Sequence, residues 1–340
     1  MAKHLGVGII GVGMLGRRHA ENLAHRIGCT RLVAVADAVP ETARAVAEAL
    51  DVPRWYTTAA ELAADPDVEA VVIASADPAH GEGIIAAATH KKDVFCEKPI
   101  TTTLEEADRA LAAVAEAGVR LQIGFMRRYD PAYVAAKRHI DEGRIGTPIL
   151  FKAIHRNRTS GPMSATAKAA TAPNDQAFVN SAIHDYNDAR WLLGDEVAEV
   201  QAVMARQSDP DPGAEPVDLA LSTLRFVRGG LGHVEGISAA HYAYDVRTEI
   251  VGTKGALFIG RPRGTDCVLA TEDGLASDAV GHWLDRYGET YLIELDDWAR
   301  RTLAGEPPAV TGADGRAALE IAIAATRSYH EGRTISLPLA

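Results

Sequence analysis

Three stretches of this sequence carry side chains whose type and spacing suit chemistry. Lys98 stands in Cys96-Glu97-Lys98-Pro99, directly after the apolar run DVF. If that run is a strand of a parallel sheet, Lys98 sits at its carboxyl end, where open α/β sheets bind ligands. An ammonium there can hydrogen-bond a substrate oxygen and stabilise its alkoxide character as hydride leaves the carbon. A surface lysine ahead of a loop-forming proline is the alternative. The second stretch is VNSAIHDYNDARWLL, residues 179–193. Read as one helix, it puts Asn180, His184, Asn187 and Asp188 on a common face. An imidazole titrates ordinarily near 6.5, which suits proton transfer around neutral pH, but a histidine just ahead of Trp191-Leu192-Leu193 can equally be a packed core residue. The third is Gly11-Val12-Gly13-Met14-Leu15-Gly16, a G-x-G-x-x-G after a predicted strand and at the start of a predicted helix. Gly11, Gly13 and Gly16 let backbone approach a pyrophosphate, and the first-turn N–H groups around Met14 and Leu15 supply positive potential. Asp37 follows about 20 residues on, where a carboxylate accepts hydrogen bonds from an adenosine ribose. With Ala38 and Val39 behind it and no adjacent arginine, it favours NAD over NADP, because a 2′-phosphate would meet a like charge.

The elements that must position these groups fall into two patterns. Over the first 125 residues, LGVGII, RLVAVAD, VEAVVIAS, DVFCEKP and RLQIGF alternate with PETARAVAEAL, AAELAAD, GEGIIAAATHKK and TLEEADRALAAVAEAGV. Short β-branched runs alternating with amphipathic segments predict βαβ units and a parallel, doubly wound α/β sheet. The pattern changes near residue 148. PILFKAIHRN is a longer strand, the 179–193 helix follows, and EVAEVQAVMAR, LALSTLRFVRGG, LGHVEGISAA and VRTEIVGTKGALFIG read as strands joined by short glycine turns. An antiparallel sheet is expected there, then two helices at roughly 282–303 and 314–331, the second with Asp314 as N-cap. Residues 159–175 and 208–218 read as loops, the first a possible cover for a site.

Bulk composition narrows the classes. With 340 residues and 47% hydrophobic content, the chain can bury two cores. Its net charge of −11, from 35 basic and 46 acidic residues without a basic run, excludes a phosphate-backbone partner. Cys29, Cys96 and Cys267 have no paired spacing, so neither a disulfide framework nor a thiolate metal site is expected, and a reducing cytoplasm fits. His184 and Asp185 diverge as helix neighbours and no His-x-x-x-His occurs, so no metal is expected. No apolar run reaches the length of a membrane span.

In order, GIIGVGMLGRRHAENL, VVIAS with His80 beyond it, FCEKPI, IGFMRRYDPAY, AIHRN, SAIHD and DGRAALEIA resemble the glucose-fructose oxidoreductase / inositol dehydrogenase / rhizopine catabolism family over most of the chain. FMRRYDPAY and YAYDVRTEIVG are particularly similar to its inositol 2-dehydrogenase branch. The resemblance implies an NAD-binding Rossmann domain (residues 1–125) and an α+β domain for substrate binding and oligomer contacts (126–340), with a mixed, largely antiparallel sheet, commonly as a homotetramer. It implies that Lys98 touches substrate and nicotinamide ribose beside a cis Lys-Pro bond, and that His184 is the acid/base. Ser75, Asp77, His80 and Glu97 join the cofactor side. Met126, Arg127, His155, Asn180, Ser181, Tyr242 and Tyr244 meet substrate hydroxyls.

Two segments depart from that pattern. Asn180 and Asn187 stand where the family has aspartates, and an aspartate at the first of them would raise the histidine's basicity by a charge that the neutral Asn180 lacks. Ala76-Asp77 stands where Pro-Asn is usual. The function expected is hydride transfer from a ring CH–OH of an inositol or related polyol to NAD, giving a ketone, with Lys98, His184 and Asn180 carrying it. The alternatives are a sugar dehydrogenase or keto-sugar reductase acting on another substrate, and a non-catalytic NAD-binding sensor.

Overall fold

A computed structural model describes residues 4–158, 175–207, 216–272 and 274–339. The loops expected at 159–175 and 208–218 lie almost wholly outside the described residues. By packing, the chain divides into two units, Met1–Tyr129 with Glu289–Leu319, and Asp130–Gly288 with Glu320–Ala340.

Unit 1 is built on β1 (Leu5–Ile10), β2 (Thr30–Ala36), β3 (Arg54–Tyr56), β4 (Ala70–Ile73), β5 (Asp93–Glu97) and β6 (Leu121–Gly124), all parallel, in the order β3-β2-β1-β4-β5-β6. The order reverses between β1 and β4, which opens a crevice at their carboxyl ends. Between strands lie α1 (Met14–His25), α2 (Pro40–Ala49), α3 (Ala59–Ala64), α4 (His80–Thr89) and α5 (Leu104–Ala117). Their ends follow local chemistry. Pro40 opens α2, Thr58 and Glu61 form a reciprocal capping box on α3, Thr103 caps α5, and Gly118 in the left-handed region ends it.

Glu289–Leu319, far along the chain, packs with unit 1. The reason is apolar. Leu295, Trp298 and Ala299 are buried in one core with Val7, Ile9, Leu23 and Phe95, and the Trp298 ring meets Phe95 edge-on at 5.8 Å.

Unit 2 continues with α6 (Pro131–Asp141), β7 (Pro148–Arg158), α7 (Ala177–Asn180), α8 (Ala182–Leu193), β8 (Val197–Gln207), β9 (Val217–Phe226), β10 (Leu231–Ala240), β11 (Asp245–Gly252) and β12 (Ala256–Ile259). Beyond these come β13 (Arg263–Thr271) and β14 (Gly274–Ala279), an exposed hairpin not read from the sequence, then α9 (Trp283–Ala304), α10 (Gly312–Glu331) and β15 (Ile335–Ser336). The seven-stranded sheet runs β12-β11-β7-β10-β9-β8-β15, antiparallel except for the β10–β7 pair. One face is apolar: Phe151 and Ala153 of β7 share a core with Tyr133 of α6, Tyr186 and Leu192 of α8, and Ile321 of α10. The other keeps Val203, Leu221 and Leu231 exposed among the ion pairs Arg156–Glu235, Lys152–Glu249 and Arg225–Glu199.

Two expected helices differ in detail. Asp314 does not cap α10. Thr311 Oγ1 accepts the Asp314 N–H at 3.1 Å and Asp314 Oδ2 accepts the Thr311 N–H at 2.9 Å, so Thr311 is the cap and Asp314 its reciprocal partner. The 179–193 helix is also two helices, because Ser181 (φ −110°, ψ −57°) separates α7 from α8. Asn180 and His184 are therefore not stacked on one continuous face. Nor is the polar stripe solvent-facing: His184, Asp185, Asn187 and Asp188 are all buried.

Unit 1 also buries polar groups the sequence does not flag. Glu294 of α9 is fully buried and neither carboxyl oxygen has a hydrogen-bond partner among the described residues; the same holds for the Asn22 amide and His19 Nδ1 on α1. Burial first, and then the charges of Glu97 and Asp297, push the Glu294 carboxyl well above the usual carboxylate range. A raised folded-state value means the folded protein holds this proton more tightly than the unfolded chain does. The associated stability is complete below the unfolded value near 4.3 and is lost as pH rises towards the folded value, by up to about 1.4 kcal/mol per pH unit. Glu294→Gln is expected to lose less thermal stability than the parent between pH 5 and pH 8. Equal losses in calorimetric scans would show that Glu294 is not protonated.

Candidate active site

In unit 1 the glycine loop joins β1 to α1. Gly11 has φ +81°, and a Cβ there would lie 2.3 Å from the Ser75 Cα, while one on Gly16 would lie 1.9 Å from Gly11 O. Strand, loop and helix thus meet at backbone contact. Gly13 is different: a Cβ there meets nothing within 4 Å, so its bare face looks outward. No side chain caps α1 and no acid occupies its first turn, which leaves the N–H groups around Met14 and Leu15 uncovered. Met14 is itself 72% exposed.

A cavity of about 650 Å³ opens here, lined by Gly11, Gly13, Asp37, Thr57, Ser75 and Glu82 among others. Asp37 is oriented by two backbone amides, Val12 N–H to Oδ2 and Val39 N–H to Oδ1, both at 3.0 Å. Ser75 Oγ is buried without a hydrogen-bond partner among the described residues. An uncapped helix N-terminus, a bare glycine face, an oriented carboxylate and an unsatisfied hydroxyl fit a dinucleotide.

Lys98 follows β5, half-buried, with a cis bond to Pro99. Its neighbour is held from two sides: Glu97 accepts the Lys98 N–H at 3.3 Å and the His19 Nε2–H at 2.8 Å. His80 holds the loop from beyond, its Nδ1 2.7 Å from Pro99 O and its Nε2 3.1 Å from Ser75 O. With both nitrogens on backbone carbonyls, His80 ties the end of β4 to the Glu97-Lys98-Pro99 loop. Asp77 opens the 3-10 turn Asp77–Ala79 just before α4. Met126 and Arg127 lie fully buried on the 3-10 turn Met126–Tyr129 that follows β6.

In unit 2, β7 and α8 bring two histidines together. The His155 and His184 ring centroids are 6.4 Å apart, Tyr244 meets His155 edge-on at 6.0 Å, and Asp185 Oδ2 stands 3.4 Å from His155 Nδ1. Beside them is a cavity of about 190 Å³ whose lining includes His155, Asn157, Asn180, Ser181, Ser222 and Ser238. Asn157 donates to Ser181 Oγ at 3.2 Å, and the Ser222 hydroxyl meets the Tyr186 phenol at 3.0 Å. Asp218, which also lines it, is paired with Arg206 at 3.5 Å. The lining therefore offers neutral donors and acceptors among apolar residues such as Phe178, Val234 and Ile237.

His155, Asn180 and Ser181 line one cavity, with His184 and Tyr244 packed against His155. Tyr242 is apart, 48% exposed and bonded to Arg156 and Asp245. His19, Asn157 and Ser222 are not singled out by the sequence, although His19 and Asn157 stand inside the motifs GRRHAENL and AIHRN. Among the described residues, no cluster of His, Cys, Asp or Glu could hold a metal, and no helix is long and apolar enough to cross a membrane.

Residues 5–125 match the family described as "Oxidoreductase family, NAD-binding Rossmann fold", and residues 137–337 match its "C-terminal alpha/beta domain". The chain is 37% identical over 330 residues to the scyllo-inositol 2-dehydrogenase (NAD(+)) of Bacillus subtilis, covering 97% of this chain and 95% of that protein. It is 37% identical over 333 residues to the myo-inositol 2-dehydrogenase of Thermotoga maritima, covering 97% and 98%. A crystal structure of scyllo-inositol dehydrogenase from Lactobacillus casei, with bound NAD(H) and scyllo-inositol, superposes with a TM-score of 0.89 at 27% identity over 98% of this chain and 99% of that one.

Proposed function

This chain belongs to the Gfo/Idh/MocA oxidoreductase family, and from that premise we propose that it is an inositol 2-dehydrogenase, oxidising a ring CH–OH to the ketone with NAD. One structural observation carries the substrate class: the cavity beside His155 sets the amides of Asn157 and Asn180 and the hydroxyls of Ser181, Ser222 and Ser238 among apolar side chains such as Phe178, Val234 and Ile237, with its one carboxylate, Asp218, paired with Arg206. Such a lining suits a ligand with many neutral hydroxyls better than an anion or a cation.

When bound, NAD supplies the hydride acceptor. Gly11, Gly13, Gly16 and the amides around Met14 and Leu15 hold its pyrophosphate, and Asp37 accepts from the ribose hydroxyls. His184 takes the hydroxyl proton, and Lys98 donates to the same oxygen as negative charge develops on it. Asn180 orients that hydroxyl, while His155, Ser181, Tyr244, Met126 and Arg127 meet the others. Ser75 and Asp77 serve the nicotinamide side, with Glu97 and His80 bracing the loop that carries Lys98. The exposed sheet face of unit 2, apolar residues among alternating charges, suits another copy of the chain, so the working form is read as a homotetramer. Free Cys29, Cys96 and Cys267 accord with a reducing cytoplasmic setting.

The test is a panel of inositols and pyranoses with NAD and with NADP, following the reduced cofactor by absorbance, and sedimentation of the same preparation. Turnover is expected on at least one inositol, faster with NAD because Asp37 repels a 2′-phosphate, from a particle several times the 36.1 kDa chain. Silence on every inositol, or activity with pyranoses alone, overturns the substrate. Tight NAD binding without any turnover would make the protein a sensor.

A further inference from the structure

A buried hydrogen bond stands one residue before Lys98. On β5, Phe95 and Glu97 are two residues apart and so point to one face of the sheet, while Cys96 and the position after Glu97 belong to the other. The first face meets α1 and α9. His19 of α1 packs edge-on against the Phe95 ring at 6.0 Å and the Tyr291 ring at 5.7 Å, and its Nε2 lies 2.8 Å from Glu97 Oε1. A carboxylate only accepts, so the ring donates. His19 is fully buried and Glu97 is 4% exposed. Among the described residues His19 Nδ1 has no hydrogen-bond partner, so the hydrogen bond of this ring goes to Glu97. The other carboxylate oxygen, Oε2, accepts the Lys98 backbone N–H at 3.3 Å. Gly124, the register partner of Glu97 on β6, leaves room for that arrangement: a Cβ there would stand 3.0 Å from Glu97 Oε2 and 3.1 Å from Phe95 Cζ.

We propose that His19 is a positioning residue for Lys98. By fixing the Glu97 carboxylate on α1 it sets where the lysine backbone leaves β5, and so ties the aim of the ammonium to the helix whose N-terminus receives the pyrophosphate. The inference rests on the reading of Lys98 as donor to the reacting oxygen.

Burial supplies the reason for the hydrogen bond. A carboxylate taken out of water is costly unless its oxygens find donors, and Glu97 has one on each oxygen. Without His19, Oε1 loses its donor, the carboxylate turns to find another, and the Lys98 N–H held on Oε2 moves with it. Glu97 and Lys98 are consecutive, so such a turn re-aims the lysine directly, and a preorganised group must keep its place to within about 0.5 Å. His19 itself stays clear of the cofactor. It follows Met14, the first residue of α1, by five positions, or about 7.5 Å along the axis.

The test compares two amides at this position. A glutamine side chain carries its amide nitrogen to the region of the ring's Nε2, whereas that of asparagine ends near Nδ1, short of Glu97. His19→Gln is expected to keep kcat within about threefold of the parent and His19→Asn to lower it about 10–10²-fold, with NAD affinity within a few-fold in both. In the Lys98→Ala background, His19→Asn should lower kcat by less than about twofold more, since the group it aims is gone. Hydrogen exchange at the Lys98 amide reads the positioning without turnover. It should be at least about tenfold faster in His19→Asn and parent-like in His19→Gln, with the amides of α1 and β5 unchanged in both. Unchanged exchange at Lys98, equal kcat in the two variants, or a further loss of about tenfold in the Lys98→Ala background overturns the proposal. Faster exchange spread through α1 also overturns it, because His19 would then serve packing alone. Should Lys98→Ala turn over normally, the oxyanion reading fails, and exchange at the Lys98 amide by itself decides whether His19 holds this loop.

Discussion

Replacing Lys98 with alanine is expected to lower kcat by about 10²–10³-fold while NAD affinity stays within a few-fold of the parent. The size follows from removing one preorganised donor to a developing oxyanion, which typically costs about 2.7–4 kcal/mol. The selectivity follows from place. Lys98 lies just past the end of β5, and the glycine loop that suits the pyrophosphate joins β1 to α1, so the two functions rest on different strand ends. The loop around Lys98 also has ties that do not use the ammonium: Glu97 is held through its carboxylate by His19 and by the Lys98 backbone N–H, and Pro99 O is held by His80. Thermal scans of the alanine variant check that these ties keep its fold. Stopped-flow turnover beside calorimetric titration with NAD separates the outcomes, and near-normal kcat would remove Lys98 from the chemistry.

Gly16→Val is expected to weaken NAD binding by about 10²-fold or more and to lower stability. Its Cβ would sit 1.9 Å from Gly11 O, and Gly11 cannot yield, because at φ +81° it is itself pressed against the Ser75 backbone. The start of α1 must move away from the loop, and a misplacement on the order of 1 Å costs about this much in a preorganised site. Gly13→Ala gives the contrast. Its Cβ meets no protein atom within 4 Å, so stability should change by less than about 0.5 kcal/mol. NAD affinity should nevertheless fall, because the methyl enters the space over which the pyrophosphate is read to lie. Calorimetric titration with NAD and thermal scans of both variants decide; unchanged affinity in Gly16→Val would mean that this loop does not hold the cofactor.

Much of the fold is legible because its rules are local. A buried strand such as LGVGII, a glycine pattern at a strand–helix junction, and a carboxylate at the end of the next strand are each set by a few consecutive residues. Together they imply the parallel order observed. The alternation of Ala220, Ser222, Leu224 and Phe226 inward with Leu221, Thr223 and Arg225 outward likewise marks a sheet with one covered face. The return of Glu289–Leu319 to unit 1 is not legible that way. An amphipathic helix announces that it has a buried face, not which core receives it, and Leu295 and Trp298 would serve either.

The same division runs through the site. The residue types of Lys98, His184 and Asp37, and their positions at element ends, are in the sequence, and so is the neutral Asn180. Helical periodicity alone stacks Asn180 over His184, yet one irregular residue, Ser181, ends α7 and turns Asn180 towards the cavity that His155 also lines. Asp185 looks, from periodicity, like a polar residue off the functional face. Only the packing of α8 on β7 brings it to His155, across 30 positions of chain. The reason is general to such sites. Spacing along the chain determines direction within an element, whereas the electrostatic partner of a buried group is set by which elements pack together, and that packing is settled by apolar contacts far from the charges themselves.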